Sequence, residues 1–188
     1  MSKLNLKRIW SYTSSILLGL IILTLIIPSW RIKFQATVQR FFITSVQLSA
    51  DQNQLLDFSR ENWQIKDHNQ IRISFNSLNG KPIILNFWAT WCPSCQAELP
   101  ELKSLQKSLG NEAYVICLTN ESYEVIEEAN CFSDYGDLIY YTNQFSPQFK
   151  FKVYPTTFVL DSDLRIISKT EGAKKFNTVE NLNFLRSL

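Results

Sequence analysis

The chain has 188 residues, enough for one domain of ordinary size plus a targeting segment and too few for two full cores. Apolar residues make up 45% and charged residues 19%, and the net charge of +2 offers no broad field for gripping nucleic acid, so no nucleic-acid partner is expected. Four cysteines are too few for a disulfide-stapled miniprotein, and only Cys92 and Cys95 share a spacing tied to redox or metal chemistry.

From Ile9 to Trp30 no side chain is charged. As a helix this stretch would reach about 33 Å, enough to cross the hydrocarbon of a bilayer. Trp10 and Trp30 stand at its two ends, with Lys3, Lys7 and Arg8 before it and Arg31 and Lys33 after it. A cleaved signal peptide is the alternative reading, since the strongly apolar core, Ile16 to Ile27, is short. Pro28, Ser29 and Trp30 make a poor cleavage site, which favours an anchor. Residues 1–30 are therefore expected to be a membrane anchor or signal, residues 31–62 a juxtamembrane linker, and residues 63–188 the folded domain. Within the linker, Val38, Phe41, Phe42 and Val46 recur near helical spacing among Arg31, Lys33 and Arg40. Either a short amphipathic helix at the membrane surface or a linker packing its aromatics on the domain fits that pattern.

Ile71, Ile73 and Phe75 alternate as a half-exposed strand, Asn79-Gly80 makes a turn, and Pro82 to Trp88 is an apolar run suited to a buried central strand. After Cys92 the period becomes helical, with Leu99, Leu102, Leu105 and Leu109 on one face and Gly110 at the end. A strand over Ala113 to Leu118, a helix over Tyr123 to Ala129 and a short strand over Leu138 to Tyr141 follow. A short helix is expected over Ser146 to Phe151, then a hairpin of Thr156 to Leu160 and Leu164 to Ser168, and a closing helix from Thr178 to Leu188. The order is α/β with a final antiparallel hairpin.

The chemistry concentrates in Trp91-Cys92-Pro93-Ser94-Cys95. The first sulfur falls at a helix N-terminus, where unpaired N–H groups favour a thiolate, and Pro93 is compatible with a position whose N–H has no intrahelical partner. Cys95, one turn on, can attack a mixed disulfide formed at Cys92. A plain buried disulfide and half a zinc site are the alternatives. Zinc needs four ligands, His68 is the only histidine, and Cys117 and Cys131 lie in unrelated elements, so neither metal nor cofactor is expected. His68 reads as a loop residue, and Cys117 as a small buried hydrophobe, with pairing to Cys131 a lesser alternative.

The run Leu85-Asn86-Phe87-Trp88-Ala89-Thr90-Trp91-Cys92, followed by Cys95, Glu98 and Pro100, resembles the active-site signature of the TlpA and ResA type of membrane-anchored thioredoxin-like proteins. The resemblance runs from about Trp63 to the C-terminus, and Val153-Tyr154-Pro155-Thr156-Thr157 matches the family's cis-proline loop. It implies a thioredoxin-like fold, a central mixed sheet flanked by helices with a TlpA-type insertion. Cys92 and Cys95 would be the catalytic pair, and Trp91, Pro93, Ser94, Tyr154 and Pro155 would face the substrate. Asn86 stands where ordinary thioredoxins carry a buried aspartate, and Glu98 matches the acidic position of the ResA-like pattern. Glu98 is thus a candidate proton acceptor for Cys95, against the plainer reading of a solvated glutamate in a helix's first turns. Pro100 matches a helix-kinking proline, and Trp88 and Trp91 would shield the sulfurs.

The implied function is reduction of protein disulfides, apocytochrome c cysteines among them, by a single-pass protein of the bacterial inner membrane. Its domain would face the periplasm or cell exterior, and a membrane electron-donor protein would recharge it. A disulfide oxidant or isomerase, or a non-catalytic or metal-chaperone module on the same fold, remains open.

Overall fold

The computed structural model describes residues 10–20, 22, 28–58 and 63–188. Residues 10–20 are helical and exposed, while the rest of the apolar stretch expected to span a bilayer lies in part outside the described residues. Among the described residues no helix is long and apolar enough to cross a membrane.

The first complete helix, α1 (Pro28–Arg40), is followed by short strands β1 (Thr44–Ser45), β2 (Gln54–Leu55), β3 (Gln64–Lys66) and β4 (Arg72–Ser74) and a 3-10 turn over Phe75–Leu78. Then come β5 (Ile83–Phe87), α2 (Pro93–Leu109), β6 (Tyr114–Thr119), α3 (Tyr123–Glu128), α4 (Cys131–Tyr135), β7 (Ile139–Tyr141), β8 (Thr156–Leu160), β9 (Arg165–Glu171), β10 (Lys174–Lys175) and α5 (Val179–Arg186). Eight strands form one mixed sheet in the order β2-β9-β8-β5-β6-β7-β3-β4, and β1 pairs in parallel with β10 beside it. At the centre, β5 runs parallel to β6 and antiparallel to β8.

The apolar run over β5 is continuous because both faces of this strand are covered. All five of its residues are buried, and alternate ones serve two cores. Ile84 points with Val115 and Cys117 toward the leucines of α2 (Leu99, Leu102, Leu105 and Leu109) and toward Phe176 and Leu185. Ile83, Leu85 and Phe87 point the other way with Ile116, Leu118 and Phe158. Aromatic rings from flanking segments seal that second face: Phe58, Trp63, Phe75 and Phe149 lie with ring centroids 4.7 to 6.1 Å apart.

The helix expected over Ser146 to Phe151 is instead a turn leading into extended chain. Phe149 and Phe151 both pack on Phe87, at 5.3 and 4.4 Å between centroids. An α-helix would send residues two apart to different sides, so burial of both rings on one neighbour overrides helix formation. The strand expected over Ile71 to Phe75 is Arg72–Ser74, with Phe75 already in the 3-10 turn. A short helix, α4, was not expected.

Residues 31–62, expected to be a linker, carry most of α1 together with β1 and β2, and they bury Leu48, Leu56 and Phe58 in the two cores. Asn181 of α5, fully buried, fixes this segment. Its Oδ1 accepts the Leu48 N–H at 2.8 Å, and its Nδ2 donates to the carbonyls of Val46 and Phe176 at 2.8 and 3.0 Å. Replacing Asn181 with leucine keeps the volume but leaves three backbone groups without partners. We expect a loss of about 3 kcal/mol or more, read as a lowered denaturation midpoint, together with faster proteolysis between residues 44 and 53. An unchanged midpoint would show that Asn181 does not hold the segment.

Candidate active site

The site lies at the carboxyl ends of the parallel strands β5 and β6, where open α/β sheets gather functional loops. Trp88 to Trp91 leave β5 and turn the chain into α2, whose N-cap is Cys92 with extended backbone (φ −93°, ψ 107°). Its sulfur accepts the Cys95 N–H at 3.2 Å, so a donor of the first helical turn is spent on Cys92 Sγ. Pro93 occupies the next position, where its missing N–H costs nothing. Cys92 and Cys95 are joined in a disulfide, their Cα atoms 5.3 Å apart, and Ser94 Oγ lies 3.3 Å from Cys92 Sγ. Cys92 is 4% exposed and Cys95 1%. Trp88 is buried in the same cluster as the disulfide, whereas Trp91 is 60% exposed.

The Tyr154–Pro155 peptide bond is cis. The Tyr154 ring meets Trp91 edge to face at 5.8 Å and Phe151 at 5.5 Å, which brings the proline loop beside the disulfide turn. Burial, and then the charge of Glu121, push the Tyr154 hydroxyl above its ordinary range.

Glu98 is fully buried, which removes the plainer reading of a solvated carboxylate. Its Oε2 accepts from Asn86 Nδ2 at 2.8 Å and its Oε1 from the Lys174 N–H at 2.7 Å. The second Asn86 N–H donates to Thr157 Oγ1 at 2.8 Å, in the strand that begins directly after Pro155. Asparagine suits position 86 for a direct reason: an aspartate there could not donate to Glu98, and two buried carboxylates would repel. Burial pushes the Glu98 carboxyl up to about 8, against the lowering effects of the Lys174 N–H, the Asn86 amide and the Lys174 charge.

Glu121 is a residue that sequence reasoning missed. Its carboxylate takes the Thr90 N–H and the Thr90 hydroxyl, each at 2.7 Å, and the Thr119 hydroxyl at 3.1 Å, so it clamps the turn just before Cys92 to the end of β6. The available signal was its position: a carboxylate two residues beyond the end of a parallel strand adjacent to β5. Gln96 Nε2 braces the same turn through the Thr90 carbonyl at 3.3 Å and reaches Cys131 Sγ at 3.5 Å. Cys117 and Cys131 are separate free thiols, both buried. Burial raises both thiols, with Glu98 adding to the effect at Cys117, so neither is primed as a nucleophile. His68 sits in the turn between β3 and β4, hydrogen-bonded to Asn69. Among the described residues no cluster of ligands could hold a metal ion.

Because the folded protein raises the Glu98 pKa from 4.5 to about 8, folding binds this proton more tightly than the unfolded chain does. The stabilisation is complete below pH 4.5 and is lost as pH rises through 8, with a span of up to about 5 kcal/mol. Urea unfolding of the oxidised chain at pH 5 and 8.5 checks this. The wild type should lose stability relative to Glu98→Gln between those two values, and parallel pH profiles would contradict it.

A family model described as the AhpC/TSA family matches residues 52–169, which spans the sheet, the disulfide and the proline loop. Among curated proteins, the chain is 33% identical over 93 residues to the thioredoxin-like protein YneN of Bacillus subtilis, covering 47% of this chain and 55% of that one. It is 28% identical over 115 residues to the thiol-disulfide oxidoreductase ResA of the same organism, covering 59% and 64%. The matched segment thus spans between half and two thirds of the length of these relatives. Of solved structures, the exposed lipoprotein thioredoxin Etrx1 of Streptococcus pneumoniae superimposes with a TM-score of 0.56 at 20% identity, over 67% of this chain and 98% of that one. StoA of Bacillus subtilis gives 0.54 at 20% identity, over 64% and 95%. Both share the thioredoxin-like fold, and with the matched model covering more than half of its length, the chain belongs to the AhpC/TSA family.

Proposed function

We propose that the chain is a thiol-disulfide oxidoreductase that reduces protein disulfides outside the cytoplasm. In this reading residues 9–30 anchor it in the bacterial inner membrane, a membrane dithiol protein recharges it, and apocytochrome c cysteines are among its substrates. The observation that carries the reading is the Cys92–Cys95 disulfide at the N-terminus of α2, set beside the cis Tyr154–Pro155 loop. Similarity to ResA supports the activity class, and the uncharged stretch before α1 supports the anchor.

In the reduced form Cys92, stabilised as a thiolate by the helix terminus and the Cys95 N–H, attacks one sulfur of a substrate disulfide. The S–S bond breaks, the leaving sulfur departs as a thiolate and takes a proton from solvent, and a mixed disulfide joins Cys92 to the substrate. Trp91, Pro93, Ser94 and the Tyr154–Pro155 loop border the place where the substrate chain lies. Cys95 then gives its proton to the Glu98 carboxylate and attacks Cys92 Sγ. The second substrate sulfur leaves, and the Cys92–Cys95 disulfide closes after the transfer of two electrons.

Burial raises the Glu98 pKa to about 8, so the ionised form that takes the Cys95 proton is the minor one at neutral pH and grows as pH rises, and resolution should quicken over that range. When the donor dithiol attacks Cys92, the proton returns to Cys95 as that sulfur leaves. In those molecules Glu98 takes one proton from Cys95 in the first half-reaction and gives it back in the second.

Cys95→Ser should accumulate a mixed disulfide through Cys92, seen as a reducible adduct on non-reducing gels and mapped by mass spectrometry. Cys92→Ser should trap nothing, and adducts through Cys95 would reverse the assigned order. The anchor is tested separately: a reporter that is active only outside the cytoplasm, fused after Leu188, should be active, whereas activity of a cytoplasm-specific reporter would remove this topology.

A further inference from the structure

The helix α1 has two unlike faces. Ala36, 6% exposed, packs with Ile43 on the buried Ala97 of α2, small side chains that let the two helices approach closely. On the opposite side Trp30, Phe34 and Val38 stand one turn apart, and Phe41 follows just beyond the helix end. They are 53%, 55%, 42% and 85% exposed. At about 100° per residue Trp30, Phe34 and Val38 fall within one arc turned away from Ala36. Aqueous surfaces do not ordinarily carry such an unbroken apolar stripe. The helix also holds Arg31, Lys33 and Arg40 and no acidic residue. An exposed aromatic stripe on a helix with three cations and no acid suits the headgroup layer of an anionic bilayer, with Arg31 at the edge of the stripe and Lys33 and Arg40 beside the hollow that α1 shares with Asp134 and Tyr135.

The position of α1 in the chain and in the fold points to the same occupant. It begins at Pro28, inside the last residues of the uncharged stretch, so a chain leaving the bilayer there enters α1 at the headgroups. Its second turn also borders the active site, since Ile32 and Lys33 line one hollow with Thr90, Trp91 and Gln96.

We propose that the outer face of α1 lies on an anionic bilayer surface and holds the Cys92–Cys95 edge of the domain beside the lipid headgroups. The proposal rests on reading residues 9–30 as an anchor and adds what that reading does not contain, a fixed orientation of the dithiol. An anchor alone would leave the domain free to tumble at the end of its tether. With α1 seated, the substrates in reach are disulfides presented at the membrane surface, either in extramembrane loops of integral proteins or in chains that are themselves anchored.

The full chain is reconstituted in nanodiscs of phosphatidylglycerol and phosphatidylcholine that carry a headgroup-proximal photoactivatable lipid, and adducts are mapped by mass spectrometry. Adducts are expected on residues 30–41 as well as in the stretch before them. In pure phosphatidylcholine, adducts on residues 30–41 should fall about tenfold or more, given three cations near the surface, while those in the stretch before them persist. Phe34→Ser combined with Val38→Ser should remove the first set in anionic discs and still reduce a small soluble disulfide at the wild-type rate, which shows an intact domain. Adducts before residue 28 with none on residues 30–41 would overturn this proposal and leave the anchor standing. Adducts nowhere would remove both. A photoactivatable phenylalanine in place of Phe34 that links two copies instead of lipid would overturn it in favour of a self-association surface.

Discussion

A carboxylate buried between a helix and the central strand of a sheet has to be met by donors, and Glu98 draws them from separate elements. Asn86 supplies one N–H from β5 and the backbone of Lys174 supplies another from β10, while the helix that carries Glu98 also carries Cys95 and is capped by Cys92. Leaving such a group unmet would cost several kcal/mol. The register of β5, the approach of β10 and the first turns of α2 are therefore tied together. Through the second Asn86 N–H the same network reaches Thr157 and the strand that follows the cis proline. The sulfurs, the buried carboxylate and the cis-proline loop share one rigid mount.

That mount explains why the site tolerates a functional group that weakens the fold. Burial favours the neutral acid, and the two donors favour the anion without overcoming burial, so the carboxyl titrates close to neutrality instead of in its ordinary range. A group placed this way can take up and release a proton near working pH, whereas a solvated glutamate would stay ionised through the whole cycle. Glu121 has a different task. Partly buried at the rim, it holds Thr90 by both its N–H and its hydroxyl and so sets the path of the turn into α2.

Residues 36–48, before the matched region, pack on the domain. Asn181 grips the backbone at Val46 and Leu48, β1 pairs with β10, and α1 lies against α2 through alanine on alanine. Because β10 also supplies the Lys174 N–H to Glu98, the chain that leads from α1 into the domain lies next to the buried carboxylate.

The sequence by itself determined the strand, turn and helix around Cys92 and the final hairpin, because these rest on local signals: an unbroken apolar run, a C-x-x-C at a helix start, leucines at helical period and a proline at a strand start. The resemblance named Cys92, Cys95, Glu98 and the Tyr154–Pro155 loop as the candidate site. Tertiary structure alone decided the state of each. Glu98 could have been a solvated first-turn glutamate until its distance from solvent and its two donors were known, since burial is a property of packing partners far away in sequence. Glu121 had only its position past the end of β6 to mark it, because it acts through Thr90 on a neighbouring strand's loop. The helix expected over Ser146 to Phe151 gave way because both phenylalanines pack on Phe87, a contact that no local pattern encodes. Residues 31–62 read as a linker for the same reason. Their strands are two residues long, too short for periodicity to show, and exist because β9 and β10 offer them edges to pair with.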